Sequence, residues 1–184
     1  VPVIVLLLIF FGRALLLVGT FFGQYMNVRK TQEAVKEQLD NLTANNLAEL
    51  ADRLPHNASS SFLTYAHRML EAGGSEPHIA RLLSQFEVAA DKEMSTSRTL
   101  SKLGPVLGLM GTLIPMGPAL VGLSTGDIAS MAYNMQVAFA TTVVGLFSAI
   151  VGVATLQIKK RWYMQDMLQL EFLAELLTQK GEAQ

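Results

Sequence analysis

Asn134, Thr141, Ser148 and Thr155 recur every seven residues through an otherwise apolar run, about Ile128–Ile158. At about 100° per residue, this spacing aligns their polar groups in one stripe, with Ala138, Gly145, Ala149 and Gly152 between them and Thr142 at its edge. A second apolar run, about Leu100–Leu123, gathers Gly104, Gly108, Gly111, Thr112, Pro115, Pro118, Ala119 and Gly122 on one face. Large residues such as Leu109, Leu113, Phe139, Val143 and Phe147 take the opposite faces. Hydroxyls and amides can solvate or hydrogen-bond an ion, but they cannot hold a proton at ordinary pH. No Asp, Glu or His lies between Lys102 and Asp127, or between Asp127 and Asp166. A proton relay inside a membrane needs a titrating group, typically acidic. If ions cross here, that carboxylate comes from another chain. The stripe also reads as small-residue packing, with Gly104 and Gly108 as a GxxxG contact. Spacing alone leaves both readings open.

Three stretches reach the ~20 residues that cross a bilayer. The first runs from about Val3 to Met26 and carries Arg13; it is too long for a cleaved signal peptide. The second and third are joined only by Ser124-Thr125-Gly126-Asp127, which predicts a tight helical hairpin with Gly126 in the turn and Asp127 or Ser124 as a cap. Arg29, Lys30, Arg98, Lys102, Lys159, Lys160 and Arg161 flank the spans, while the hairpin loop has no Lys or Arg. The positive-inside rule therefore puts the N-terminus and hairpin outside, with the middle segment and C-terminus in the cytoplasm.

The middle segment reads as helices. Thr31–Leu54 is one, stopped by Pro55; a linker of residues 56–61 follows, then Phe62–Ala72, stopped by Gly73-Gly74. A long helix starts near Ser75-Glu76-Pro77 and runs into the second span. Beyond the third span, Met164, Met167, Leu168, Phe172, Leu173, Leu176 and Leu177 form an apolar stripe that continues the helix. The expected fold is all-α and multi-pass, with three transmembrane helices, two of them extended into a cytoplasmic helical domain. Its segments are 1–27 (first span), 28–99 (cytoplasmic helices), 100–158 (hairpin) and 159–184 (C-terminal helix).

Other candidates read more plainly. Arg13 has no carboxylate within its span and suits a structural or lipid-headgroup role. His56, His67 and His78 repeat every 11 residues, but Pro55, Gly73, Gly74 and Pro77 break any common helix, so they read as solvated rather than metal-binding. Asn57-Ala58-Ser59 fits the glycosylation pattern but falls on the inner side, as linker. Glu87, Asp91, Glu93 and Arg98 could fence an ion exit, though a solvated face accounts for them. Trp162 and Tyr163 read as interfacial anchors. There is no nucleophile–base pair, phosphate-binding glycine loop, metal motif or cofactor site, so an enzyme is not expected.

Composition agrees. The 184 residues are 51% hydrophobic and 16% charged, against the ~25% charged of a typical soluble domain. With 14 basic and 15 acidic residues, the net charge of -1 argues against a nucleic-acid partner. The absence of cysteine excludes disulfides and thiolate chemistry. The chain opens at Val1, already apolar, which reads as a processed or incomplete N-terminus.

Leu103-Gly104-Pro105-Val106-Leu107-Gly108-Leu109-Met110-Gly111-Thr112 resembles the apolar-Pro-x-x-Gly-Leu-x-Gly-Thr signature of the MotA/TolQ/ExbB proton channel family. Ala138-Phe139-Ala140-Thr141-Thr142-Val143-Val144-Gly145-Leu146 resembles that family's second signature, in the same order. The resemblance implies a pentameric ring around two transmembrane helices of a MotB/TolR/ExbD-like partner, whose membrane aspartate carries H⁺ or Na⁺. It assigns Thr112 and Thr142 to the central pathway. Thr141, Asn134 and Ser148 of the heptad stripe join them as pathway candidates, and Gly104, Gly108, Gly111, Gly145 and Gly152 are the helix-packing candidates. The three-span layout is similar to the TolQ/ExbB branch, in the inner membrane. Pro115 and Pro118 depart from the family pattern, which more often shows glycine and apolar residues there. A self-contained transporter and a non-conducting scaffold are the competing functions.

Overall fold

The computed structural model describes residues 2–39, 61–73 and 75–182. Four helices account for nearly all of them: α1 (Pro2–Leu39), α2 (Ser61–Glu71), α3 (Glu76–Thr125) and α4 (Ile128–Glu182). No strand occurs among the described residues. Three helices carry stretches long and apolar enough to span a bilayer. The chain is a multi-pass membrane protein. Residues 40–60, with the expected stop at Pro55, His56, the Asn57-Ala58-Ser59 motif and most of the linker, lie outside the described residues.

The expected long helix into the second span is α3. It opens at Glu76, one residue after Ser75, whose carbonyl accepts from the His78 and Ile79 amides at 3.0 Å each. It then continues through Pro105, Pro115 and Pro118. α1 also runs past its apolar stretch, to Leu39, because nothing between Met26 and Leu39 breaks a helix. α2 ends where Gly73 takes φ 62°, a left-handed conformation that costs a glycine little. The hairpin turn follows its expected chemistry. Gly126 has φ 76°, and Asp127 Oδ1 accepts from the Ser130 amide at 3.0 Å, which caps α4.

The chain divides into two compact units. One comprises Val1–Phe21 and Met94–Ile158. Here α3 and α4 lie antiparallel, and α1 packs on them through Leu7, Ala14 and Leu17, residues about two turns and one turn apart on one face. Ala14 and Leu17 form a cluster with Leu100, with Phe10 and Val151 against it. Phe11 stacks at 5.5 Å from Phe147. The remaining large residues, among them Leu16, Leu109, Leu113, Leu120, Phe139, Val143 and Ile150, are exposed. An apolar surface so continuous requires lipid or protein neighbours.

The other unit comprises Phe22–Glu93 and Lys159–Gln184. Its core is an ordinary buried one. α2 contributes Phe62, Leu63, Ala66 and Met69; α3 contributes Ile79 and Phe86; α4 contributes Leu170, Leu173, Ala174 and Leu177. Phe86 meets Tyr65 and Tyr163 edge-on at 5.5 and 6.2 Å. The stripe expected after the third span is thus divided. Leu173, Leu177 and their neighbours enter this core, while Met164, Leu168 and Phe172 remain exposed. His67 is half-buried and its Nδ1 donates to the Leu63 carbonyl at 2.9 Å, so it is not the solvated histidine expected. His78 is exposed, as expected.

Met69 is fully buried in that core. Truncating it leaves a void that the core of α2, α3 and α4 fills poorly. Met69→Ala should destabilise the unit by about 2–5 kcal/mol, seen as a lowered thermal midpoint in detergent. Met164→Ala, at an exposed position, should leave the midpoint unchanged.

Candidate functional site

The glycines of α3 and α4 bring two backbones into direct contact. A Cβ at Gly145 would sit 2.6 Å from the Gly108 Cα and 2.8 Å from the Gly104 carbonyl oxygen. One at Gly104 would meet the Ala149 nitrogen at 2.9 Å, and one at Gly152 the Ser101 nitrogen at 2.5 Å. Gly111 faces the Thr141 side chain, which an added Cβ would approach to 2.7 Å. Contacts closer than 3 Å to backbone cannot be relieved by a rotamer change, so the helices would have to separate. Gly108 is more open, with its nearest atom at 3.5 Å.

This seam absorbs most of the heptad stripe. Thr141, Ser148 and Thr155 are buried in it, and each hydroxyl bonds a carbonyl of its own helix at 2.7–3.0 Å. Such back-bonding satisfies a hydroxyl in an apolar setting without a partner chain. Thr155 Oγ1 also lies 3.0 Å from Ser97 Oγ, a buried contact that bridges the two helices. Sequence reasoning passed over Ser97. The signal was there: Ser97, Gly104 and Gly111 recur every seven residues and oppose Thr155, Gly145 and Thr141.

Thr112 and Thr142 stand differently. Both are half-buried, at the edge of the seam. Thr112 Oγ1 donates to the Leu109 carbonyl at 2.6 Å, and Thr142 Oγ1 to the Ala138 carbonyl at 2.9 Å. With its proton committed, each hydroxyl oxygen presents only acceptor lone pairs outward. Asn134, also half-buried, spends one amide hydrogen on the Ser130 carbonyl at 2.8 Å. Pro115 and Pro118 have no amide hydrogen, so the carbonyls of Gly111 and Ile114 lack the usual donor four residues on. What the two hydroxyl oxygens and the freed carbonyls can do chemically is accept: from a protonated carboxyl, from hydronium, or by solvating a cation; Asn134 keeps one N–H to donate.

A sequence model of the MotA/TolQ/ExbB proton channel family matches residues 17–171, most of the chain. The chain belongs to this family. No curated protein matches it closely. Family membership covers both signatures, the whole glycine seam and most of the unit built on α2. It makes the chain a component of a proton-channel system and leaves the branch within the family undistinguished.

Of Glu87, Asp91, Glu93 and Arg98, the acidic three are exposed, in keeping with a solvated face, and Arg98 is half-buried. The exposed Glu93 carboxylate also accepts from Ser61 Oγ at 3.1 Å and from the Tyr163 hydroxyl. Tyr163 is half-buried, and its ring also packs edge-on against Phe86. Its burial, and then its bond to the Glu93 carboxylate, raise its pKa far above the ordinary phenol value. Trp162 is half-buried against Tyr25, with ring centroids 5.8 Å apart. Among the described residues no group of His, Cys, Asp and Glu is arranged to hold a metal ion.

The seam makes a paired prediction. Gly145→Ala forces a methyl into backbone and should cost about 1–3 kcal/mol, with loss of assembled protein in detergent. Gly108→Ala should be tolerated, since the new contact is an ordinary one and alanine favours a helix by up to ~1 kcal/mol over glycine. Thermal unfolding of the two variants side by side checks it.

Proposed function

We propose that this chain is one subunit of a ring, a pentamer, that encloses two transmembrane helices of a MotB/TolR/ExbD-like partner. The partner's membrane aspartate carries H⁺ or Na⁺, and its passage along the ring is coupled to mechanical work or energised transport. The observation that carries this reading is a division of chemistry. Thr112 and Thr142 offer acceptor oxygens at the edge of the seam, while the two spans contain no Asp, Glu or His between Lys102 and Asp127 or between Asp127 and Asp166. An ion-coupling device built this way lacks its proton carrier until another chain supplies a carboxylate. A single hairpin cannot surround that chain, so several copies must. α1, with most of its apolar residues exposed, occupies the outside of the ring.

In this arrangement the chain lies in the inner membrane with its N-terminus and the Gly126 turn outside. The unit built on α2 and the C-terminal end of α4 are cytoplasmic. The flanking basic residues support that orientation. Cysteines introduced singly at Ser124 and at Gln85, both exposed, should react with an impermeant thiol reagent from opposite sides. Labelling from one side would reject the topology.

The pathway role rests on Thr112 and Thr142. Thr142→Val keeps the β-branch and removes the acceptor. Losing a hydrogen bond to a charged group costs about 1.5–3 kcal/mol, or roughly 10- to 100-fold in rate. Ion-driven activity of the complex with its partner should fall by that factor in Thr142→Val and Thr112→Val, with assembly unchanged in native mass spectrometry. Val143→Thr, on an exposed face, should be near neutral because its hydroxyl can bond back to its own helix. Full activity in both valine variants would assign the hydroxyls to packing. Conduction by this chain alone in liposomes would favour a self-contained channel.

A further inference from the structure

Lys159 is the first charged residue after the apolar run of α4, yet it is only 5% exposed. Its ammonium has three N–H donors, and its one described hydrogen bond runs to the Glu93 backbone carbonyl at the long distance of 3.5 Å. Burial lowers its pKa, and the nearby Glu93 carboxylate only partly offsets this. Lys159 lines a polar cavity of about 110 Å³, shared with Gln24, Asn27, Ser61, Trp162 and Asp166. That volume far exceeds the roughly 10–15 Å³ one water requires, so the cavity accepts a group of several heavy atoms.

The charges in the lining select among ligands. The lining residues carry one ammonium, that of Lys159, and two carboxylates, those of Glu93 and Asp166. A bare anion would satisfy Lys159 and be repelled by Asp166; a bare cation would do the reverse. A ligand that carries both charges a few bonds apart satisfies each. The position of the lining indicates its source. Gln24 and Asn27 close the apolar stretch of α1, Lys159 closes that of α4, and Trp162 pairs with Tyr25, the amphipathic aromatic arrangement typical of a headgroup layer.

We propose that this cavity seats the headgroup of an aminophospholipid, with Lys159 holding the phosphate and Asp166 the primary ammonium. The site is separate from the Thr112 and Thr142 edge and does not depend on the partner assignment. It would tie the ends of the apolar stretches of α1 and α4 to one lipid and make the composition of that leaflet matter to the subunit.

Native mass spectrometry of the delipidated, assembled protein, titrated with short-chain phosphatidylethanolamine, short-chain phosphatidylglycerol or free phosphoethanolamine, tests it. Phosphatidylethanolamine should bind at least 10-fold more tightly than either alternative. Lys159→Gln should weaken it at least 10-fold, and Lys159→Met, suited to a buried position, replaces that variant if it fails to assemble. Asp166→Asn should erase the preference for phosphatidylethanolamine over phosphatidylglycerol, and Lys160→Gln, at an exposed position, should change nothing. Equal binding of the two lipids by the unaltered protein would overturn the proposal, as would binding that is indifferent to Lys159. Free phosphoethanolamine binding as tightly as the lipid would assign the cavity to a soluble zwitterion and overturn the lipid source.

Discussion

Helices in lipid gain nothing from burying one another's apolar side chains, because the tails around them are just as apolar. What holds α3 against α4 is close backbone contact, and that contact exists where at least one of the two helices lacks a Cβ. Gly104, Gly108 and Gly145 form its centre, Gly152 and Gly111 its two ends. Every other feature of this unit follows from that distance. At such a separation there is no room for a large side chain between the helices, so the leucines, valines and phenylalanines are turned outward. The residues that remain between the axes must be small, and those that are polar must satisfy themselves locally.

The hydroxyls solve that second problem in one uniform way. Thr141, Ser148 and Thr155 each bond a carbonyl of their own helix, so the seam stays neutral and satisfied without water. The same habit has a different consequence for Thr112 and Thr142 at the edge. A hydroxyl whose proton is committed backwards has one remaining capability, which is to accept. Pro115 adds to this by leaving the Gly111 carbonyl, next to Thr112, short of its usual donor. One local rule therefore yields self-satisfied hydroxyls inside the seam and a row of acceptors beside it.

The sequence made the fold legible because lipid imposes few options. Apolar length, basic flanks and two glycine-rich faces specified three spans and a hairpin, and Gly126 and Asp127 specified its turn. The family signatures were legible for the same reason, since a backbone contact tolerates so few residue types. The division of the stripe was harder to see. Seven-residue spacing places Thr141 and Ser148 on one face but cannot say whether that face meets a partner chain or the neighbouring helix. One residue over, Thr142 has the same chemistry and a different environment. Glu93 and Tyr163 were illegible for another reason. Their pairing joins residues 70 apart in the chain, and local periodicity carries no information about which distant helix supplies a partner.

On the reading proposed above, the absence of an acidic group from these spans is what makes a moving device workable. A carboxylate in each subunit would bind a proton strongly and so hold the partner at every stop. Acceptor oxygens repeated identically around a ring bind a proton carrier weakly and equally at every subunit. The energy difference between successive positions is then small, and the partner's own aspartate, neutral or charged, decides when it can step. Thr112 and Thr142 contribute to that smoothness by being unable to titrate. The glycine seam contributes by keeping them at a fixed height, because a backbone contact without side chains between the helices has no rotamers through which to yield.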